Sequence, residues 1–379
     1  GSLTSVTADN VDALDSDLNG TTNSTVSFSL KTDSDGLLSV SQATGLLSHT
    51  DQTASDVSII YGGGITGNLT DYVSAGSETV STLMQAVISE DADAALTVAD
   101  NQLTTAANIK DLNALATLSS GTVTATVVTD KGNLLGDSDG ATLETGTGDA
   151  ITITLNDAAT ATEYKTLSGK TSGDVTLSAG FSGPLSDFIG ADDITSNLDD
   201  AFEVTANRNK TITLTDTDLA AAAVAKLNIL DSEAKHTGDS AIIVASIEAE
   251  LADFADLATD ATDLITIEIS NALTAANVDA LNTLKAKTGA SITASISGAA
   301  SALKDLDTDT SDTITISITG TDNEVEDVIL TTHKTSALSK VTIAGIQDVQ
   351  AKIAGTDLTS SDALNAAILN LKTQINSSD

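Results

Sequence analysis

Carboxylates are the side chains in this sequence with the most chemistry to offer. The stretch "DLDTDTSD" places Asp305, Asp307, Asp309 and Asp312 in one short segment. The phrase "DSDG" occurs twice, pairing Asp33 with Asp35 and Asp137 with Asp139 ahead of a glycine. Calcium takes several hard oxygen ligands from turns of this kind, so these aspartates form a candidate calcium set. None of the stretches completes an EF-hand loop with its late glutamate, and none matches the Gly-Gly-x-Gly-x-Asp nonapeptide. The competing reading is a set of solvated acidic turns.

Other chemistries have weaker support. Histidine occurs only at His49, His236 and His333, in dissimilar contexts, and no nucleophile-elbow phrase accompanies them. Zinc-ligand spacing and a Walker phosphate loop are both absent. "YGGGITGN" from Tyr61 is glycine-rich but lacks the lysine that a phosphate loop needs. Acidic pairs are so abundant that no two stand out as a glycosidase acid and base. Aromatics make up only 2% of the chain, which leaves few rings for stacking on sugars. The expectation is a protein that is not an enzyme.

Composition narrows the partners. The 379 residues hold 16 Lys and Arg against 54 Asp and Glu, a formal net charge of -38. Nucleic acid is excluded as a partner, because phosphate binding needs clustered basic residues. Such a charge keeps a long chain dispersed and attracts divalent cations. There is no cysteine, hence no disulfide framework. The chain opens "GSLTSVTADN", without a basic start or an apolar run. The longest apolar stretch, "LAAAAVAKLNIL" from Leu219, is too short to span a bilayer and carries Lys226, so it reads as a buried helix.

The elements that must position the acidic turns are repetitive. Alternating strands followed by Ala-rich helices recur as "ITLTDTDLAAAAVAKLNIL" from Ile212 and "ITIEISNALTAANVDALNTL" from Ile265. The strand "ITITLND" from Ile151, the strand "ITISITG" from Ile314 and "LTVADNQLTTAANIKDLNALATL" from Leu96 are further examples. Between them lies a second type, a strand and a short turn phrase. "GITGNLTDYV" from Gly64 aligns residue for residue with "GFSGPLSDFI" from Gly180. The spacing of about 50–60 residues suits stacked supersecondary units, and predicts one continuous array over 1–379 of about six to seven units.

Within a unit, Ile265, Ile267 and Ile269 face one way and Thr266, Glu268 and Ser270 the other. Thr274 starts a helix whose apolar side is Val278, Leu281 and Leu284, and Gly289 ends it. The outward strand face is rich in hydroxyls, as at Thr211, Thr213 and Thr215. Beta propensity alone accounts for such a face; an ordered hydroxyl array that contacts a polymer, a glycan or ice is the sharper reading. A strand, a helix and another strand in succession favour parallel pairing with crossovers. The expected fold is therefore α/β: a repeat solenoid of strand-helix-strand units, its parallel sheets covered by Ala-rich helices. "VTADNVDAL" from Val6 is a helix phrase with no full strand before it, which reads as a chain starting inside a unit of something longer. "SSDALNAAILNLKTQIN" predicts a capping helix within 360–379, with Leu364, Ile368, Leu371 and Ile375 as its stripe.

The segment "LTAANVDALNTLKAKTGASITASISGAASALKDL", Leu273 to Leu306, resembles repeats of very large secreted or cell-surface proteins of marine bacteria and cyanobacteria, adhesin- or S-layer-like, and repeats of phage appendage proteins. Leu103 to Val127 fits the same pattern in part, and Val6 to Leu30 loosely. The resemblance implies an extracellular, surface or appendage role and supplies no catalytic residues. The expectation is a structural or adhesive segment of an exported bacterial cell-surface protein or filament. Its partners would be neighbouring repeats, copies of itself, or a surface polymer or glycan. The alternatives are a phage tail fibre, located in the virion, and a calcium-dependent carbohydrate- or ice-binding module.

Overall fold

In the computed structural model, the described residues are 26–29, 37–47, 57–61, 63–136, 141–217, 219–235, 240–303, 305–307, 311–319 and 342–343. The chain divides into two compact units, one holding Gly1–Phe181 and Ser196–Lys210, the other Ser182–Thr195 and Thr211–Asp379. The predicted capping helix in 360–379 lies outside the described residues.

The strands in chain order are β1 (Val26–Ser29), β2 (Leu38–Ser39), β3 (Val57–Ile60), β4 (Ile65–Gly67), β5 (Val73–Ser74), β6 (Thr79–Val80), β7 (Leu96–Val98), β8 (Val123–Thr129), β9 (Ala150–Leu155) and β10 (Val175–Leu177). They continue as β11 (Phe181–Gly183), β12 (Ile212–Leu214), β13 (Ile243–Ala249), β14 (Leu264–Ile269), β15 (Leu273–Thr274), β16 (Ile292–Gly298), β17 (Thr313–Ile318) and β18 (Thr342–Ile343). One sheet runs β10-β9-β8-β7-β4-β2, and the other β11-β12-β13-β14-β16-β17-β18 with β15 beside β16. Parallel pairing joins β8 to β9, β13 to β14 and β16 to β17 over six residue pairs each. The fold is thus mixed α/β with parallel sheets. Strands that lead into long helices, such as β7 and β14, alternate in one sheet with strands that lead into short turns, such as β8 and β16.

Period-2 patterning builds the strands. In β14, Ile265, Ile267 and Ile269 are buried while Leu264, Thr266 and Glu268 are exposed. Helices close the inward side. Val278, Leu281 and Leu284 are buried on the helix Val278–Lys285, and Ile109, Leu112 and Leu115 on the helix Ala106–Leu118. Each such side chain contributes about 1.5–3 kcal/mol by leaving water. A capping box starts Ala106–Leu118, where the Thr105 hydroxyl accepts from the Asn108 N–H at 3.2 Å.

The helix in "LAAAAVAKLNIL" begins at Ala223, later than its composition predicts. Leu219 is instead a single parallel rung: its N–H donates to Ser246 O and its carbonyl accepts from Glu248 N–H. Leu103 makes the same rung to Thr126 and Val128, and Leu273 opens β15 against β16. The leucine that opens each repeated helix phrase therefore belongs to the sheet, because its N–H and C=O pair there before the helix starts.

The aligned phrases Gly64–Val73 and Gly180–Ile189 fold alike. Gly64 has φ +85 and Gly180 φ +81, a left-handed turn that suits glycine. Four-residue helices follow, Leu69–Tyr72 and Leu185–Phe188.

Candidate functional site

Of the candidate calcium ligands, Asp33, Asp35, Asp137, Asp139 and Asp309 lie outside the described residues, as do His49, His236 and His333. Asp305 and Asp307 are exposed. Asp307 faces Lys285 at 3.3 Å. Asp312 is buried, and its Oδ1 accepts the Ile292 N–H at 2.9 Å. Among the described residues, no three histidine or acidic side chains form a metal-holding group.

The Asp312 bond is one of a series. In the turn leading to a strand, one polar side chain accepts the backbone N–H near the start of the preceding strand. Asp149 accepts Val123 N–H at 2.9 Å, Thr171 accepts Ile151 N–H at 2.8 Å, Asp263 accepts Ile243 N–H at 2.9 Å and Thr288 accepts Ile265 N–H at 3.0 Å. Asp91 accepts the N–H of Tyr61, just after β3, and Asn207 that of Leu177, at the end of β10. The acceptor always follows the donor, by 20 to 30 residues. An interior strand N–H left unpaired costs about 1–3 kcal/mol, so this polar spine completes the backbone pairing of the sheets. Carboxylate and hydroxyl alternate along it at Asp149 and Thr171, and again at Asp263, Thr288 and Asp312. At Thr171 and Thr288 the turn closes on the hydroxyl, which accepts the N–H of Gly173 and Ala290, and Ser119 takes the Gly121 N–H in a turn of the same kind. Gly121 and Gly173 sit against backbone: an added Cβ would lie 2.3 Å from Asp93 O and 2.5 Å from Ile151 O, respectively.

A second series runs along the far ends of the strands. Asp100, Asp157, Asp216 and Asn271 accept the backbone N–H of Leu69, Lys131, Leu185 and Leu251, respectively. A third explains the recurring Leu-Asn-x-Leu of the helix phrases. The Asn282 amide donates to Asp305 O at 2.7 Å and accepts from Asp307 N–H at 2.8 Å. Asn113 brackets Thr142 and Glu144 in the same way, and Asn228 brackets Asp256 and Ala258. A helix side chain thus completes the backbone pairing of the segment beside it. These asparagines were visible in the sequence as part of a repeated phrase. Their role was not, because it depends on which segment lies alongside.

One lysine interrupts the acidic spine. Lys235 Nζ meets Asp231 at 2.7 Å, Asp263 at 2.7 Å and Asp260 at 3.2 Å. These hydrogen bonds outweigh burial and raise the ammonium pKa. Burial, with Asp263 nearby, pushes the Asp231 carboxyl up. Bonds from Thr262 hold Asp260 down at about 2.

The outward faces of the two sheets differ. On the first, the positions are Ser39, Thr66, Thr97, Thr124, Thr126, Val128, Ala150, Thr152, Thr154 and Thr176, none of them buried and none charged. Ser39, Thr66, Thr97 and Thr124 stand in register across four strands. On the second sheet, Glu248 stands in register with Glu268, Thr293 and Thr313, and Leu264 is 44% exposed. Elsewhere in the first unit, an open groove of about 780 Å³ is lined by polar groups including Glu78, Gln85, Lys110 and Glu144.

No family model, no curated protein and no solved structure matches this chain.

Proposed function

We propose that each unit is a run of stacked coils, a solenoid, and that the protein is a structural, non-catalytic segment of an exported bacterial cell-surface protein or filament. The observation that carries this reading is the polar spine. A turn residue completes the strand before it, and the same bond recurs from Asp91 to Asp312. A device repeated from strand to strand is what a chain needs in order to grow by adding units, since each unit then answers only to its neighbours. The acidic, cysteine-free composition and the resemblance of Leu273 to Leu306 to surface-protein repeats support export. The partners of such a segment are further copies of its own units, or a polymer at the surface.

In-frame removal of 264–312 tests the solenoid. It joins Asp263 to β17 and keeps an aspartate in place to accept the Ile243 N–H. The shortened chain is expected to melt cooperatively, with β17 taking the place of β14. Loss of folding would sink the solenoid reading. Antibodies against the folded chain are expected to label intact source cells; labelling confined to permeabilised cells would reject the surface role.

A further inference from the structure

We propose that the outward face of the first sheet binds ice. Seven of its positions are threonine, at Thr66, Thr97, Thr124, Thr126, Thr152, Thr154 and Thr176. Parallel pairing spaces in-register neighbours by about 4.8 Å, and alternate residues along a strand by about 6.6 Å, so their hydroxyls form a two-dimensional lattice.

Three observations carry this reading, and the first sets this face apart from that of the second sheet. First, it carries no charge in a chain with 54 acidic residues. An ion-binding or cationic partner would find nothing there, whereas an uncharged one meets no desolvation penalty for an ion. Second, none of the seven hydroxyls bonds to another protein group among the described residues. Thr117, Thr129, Thr145, Thr166 and Thr171, off this face, all donate to backbone carbonyls. The lattice hydroxyls are left to water. Third, threonine is β-branched and stiff at χ1, and these residues sit on paired strands. Ordering water across them therefore costs little side-chain entropy.

The same face argues against a sugar polymer as occupant. It has no aromatic ring to stack on a pyranose, and no amide or guanidinium to take a pair of hydroxyls in fixed geometry. What it offers is a methyl and a hydroxyl at regular intervals, which fits a periodic surface of water held through bridging hydrogen bonds.

The test uses the full chain, fluorescently labelled, on a growing single crystal of ice, with ice-recrystallisation inhibition measured alongside. Wild type is expected to adsorb and to slow recrystallisation. Thr97→Lys with Thr152→Lys is expected to abolish both while leaving the circular dichroism and melting curve unchanged. Thr266→Lys with Thr315→Lys, on the second sheet, is the matched control and is expected to retain both. If the double variant of the first sheet misfolds, Thr97→Val with Thr152→Val takes its place and is expected to weaken adsorption. No adsorption by folded wild type overturns the proposal, as does equal loss in both double variants. Retention on insoluble cellulose or chitin without adsorption to ice overturns it in favour of a glycan. None of these results bears on the deletion experiment, so the ice face and the solenoid stand or fall separately.

Discussion

The two sheets follow the same inward rules, and their outward faces, both rich in hydroxyls, differ in charge. On the first, the outward residues are neutral and almost uniformly hydroxylic. On the second, Glu248 and Glu268 stand side by side in the ladder and Leu264 is exposed. Inward, both sheets bury isoleucine, leucine and valine, and both use a polar turn residue to complete the preceding strand. The inward polar positions are fixed by the hydrogen-bonding needs of the backbone, and so they recur. The outward ones answer to no such need and are free to diverge, which is why a surface role is sought there.

Four measurements sharpen this contrast. The largest effect is expected for Asp263→Ala. Asp263 is fully buried and serves both Ile243 N–H and Lys235, so its loss leaves a strand amide unpaired and removes one of the three carboxylates around the lysine. Urea unfolding should show a loss of about 2–3 kcal/mol in the second unit. Asp149→Ala, at the half-buried counterpart in the first unit, should cost only about 1–2 kcal/mol. Equal costs would break the comparison.

Asp231→Asn is expected to stabilise at neutral pH. A carboxyl whose folded pKa is raised penalises the native state above that pKa, and the penalty lifts as pH falls through it. Asp260 has the opposite sign: held at about 2, it favours the native state at neutral pH and loses that contribution only as pH falls towards 2. Melting temperature plotted against pH should therefore be flatter for Asp231→Asn than for wild type, with the variant higher at pH 7. A variant that melts lower at pH 7 would overturn the assignment.

Glu248→Thr makes the second face resemble the first. Removing one of two in-register like charges should stabilise by on the order of 0.5 kcal/mol at low salt. The gain should shrink as salt screens the pair. A gain independent of salt would point to packing instead. The smallest effect is expected from calcium. Asp312 is engaged by Ile292 and Asp307 by Lys285. Melting in chelator, calcium and matched magnesium should therefore give small, equal rises from screening. A rise for calcium alone would restore the candidate calcium set, and would overturn screening as the cause.

Much of the fold was legible in the sequence. The alternation of Ile265, Ile267 and Ile269 with Thr266 and Glu268, and the stripe of Val278, Leu281 and Leu284, are local patterns that burial follows directly. The match between Gly64–Val73 and Gly180–Ile189 correctly implied one shared turn. Less legible was everything that joins one strand to another. That both strand types alternate within one sheet, that Leu219 belongs to the sheet, and that Asn282 brackets Asp305 and Asp307 all depend on pairings across 20 or more residues. An aspartate in a turn looks the same in a sequence whether it faces calcium, solvent or a neighbouring amide. At Asp312 only the position of Ile292 shows which.

The direction of the spine has a consequence for how the chain is made. Every acceptor lies downstream of the strand it completes: Asp91 after Tyr61, Thr171 after Ile151, Asp312 after Ile292. A strand emerging from a ribosome or an export channel is therefore unfinished until the next turn has emerged behind it. The amide left waiting is paired only once the next 20 to 30 residues have followed. A chain stalled between a donor and its acceptor therefore holds that strand amide unpaired.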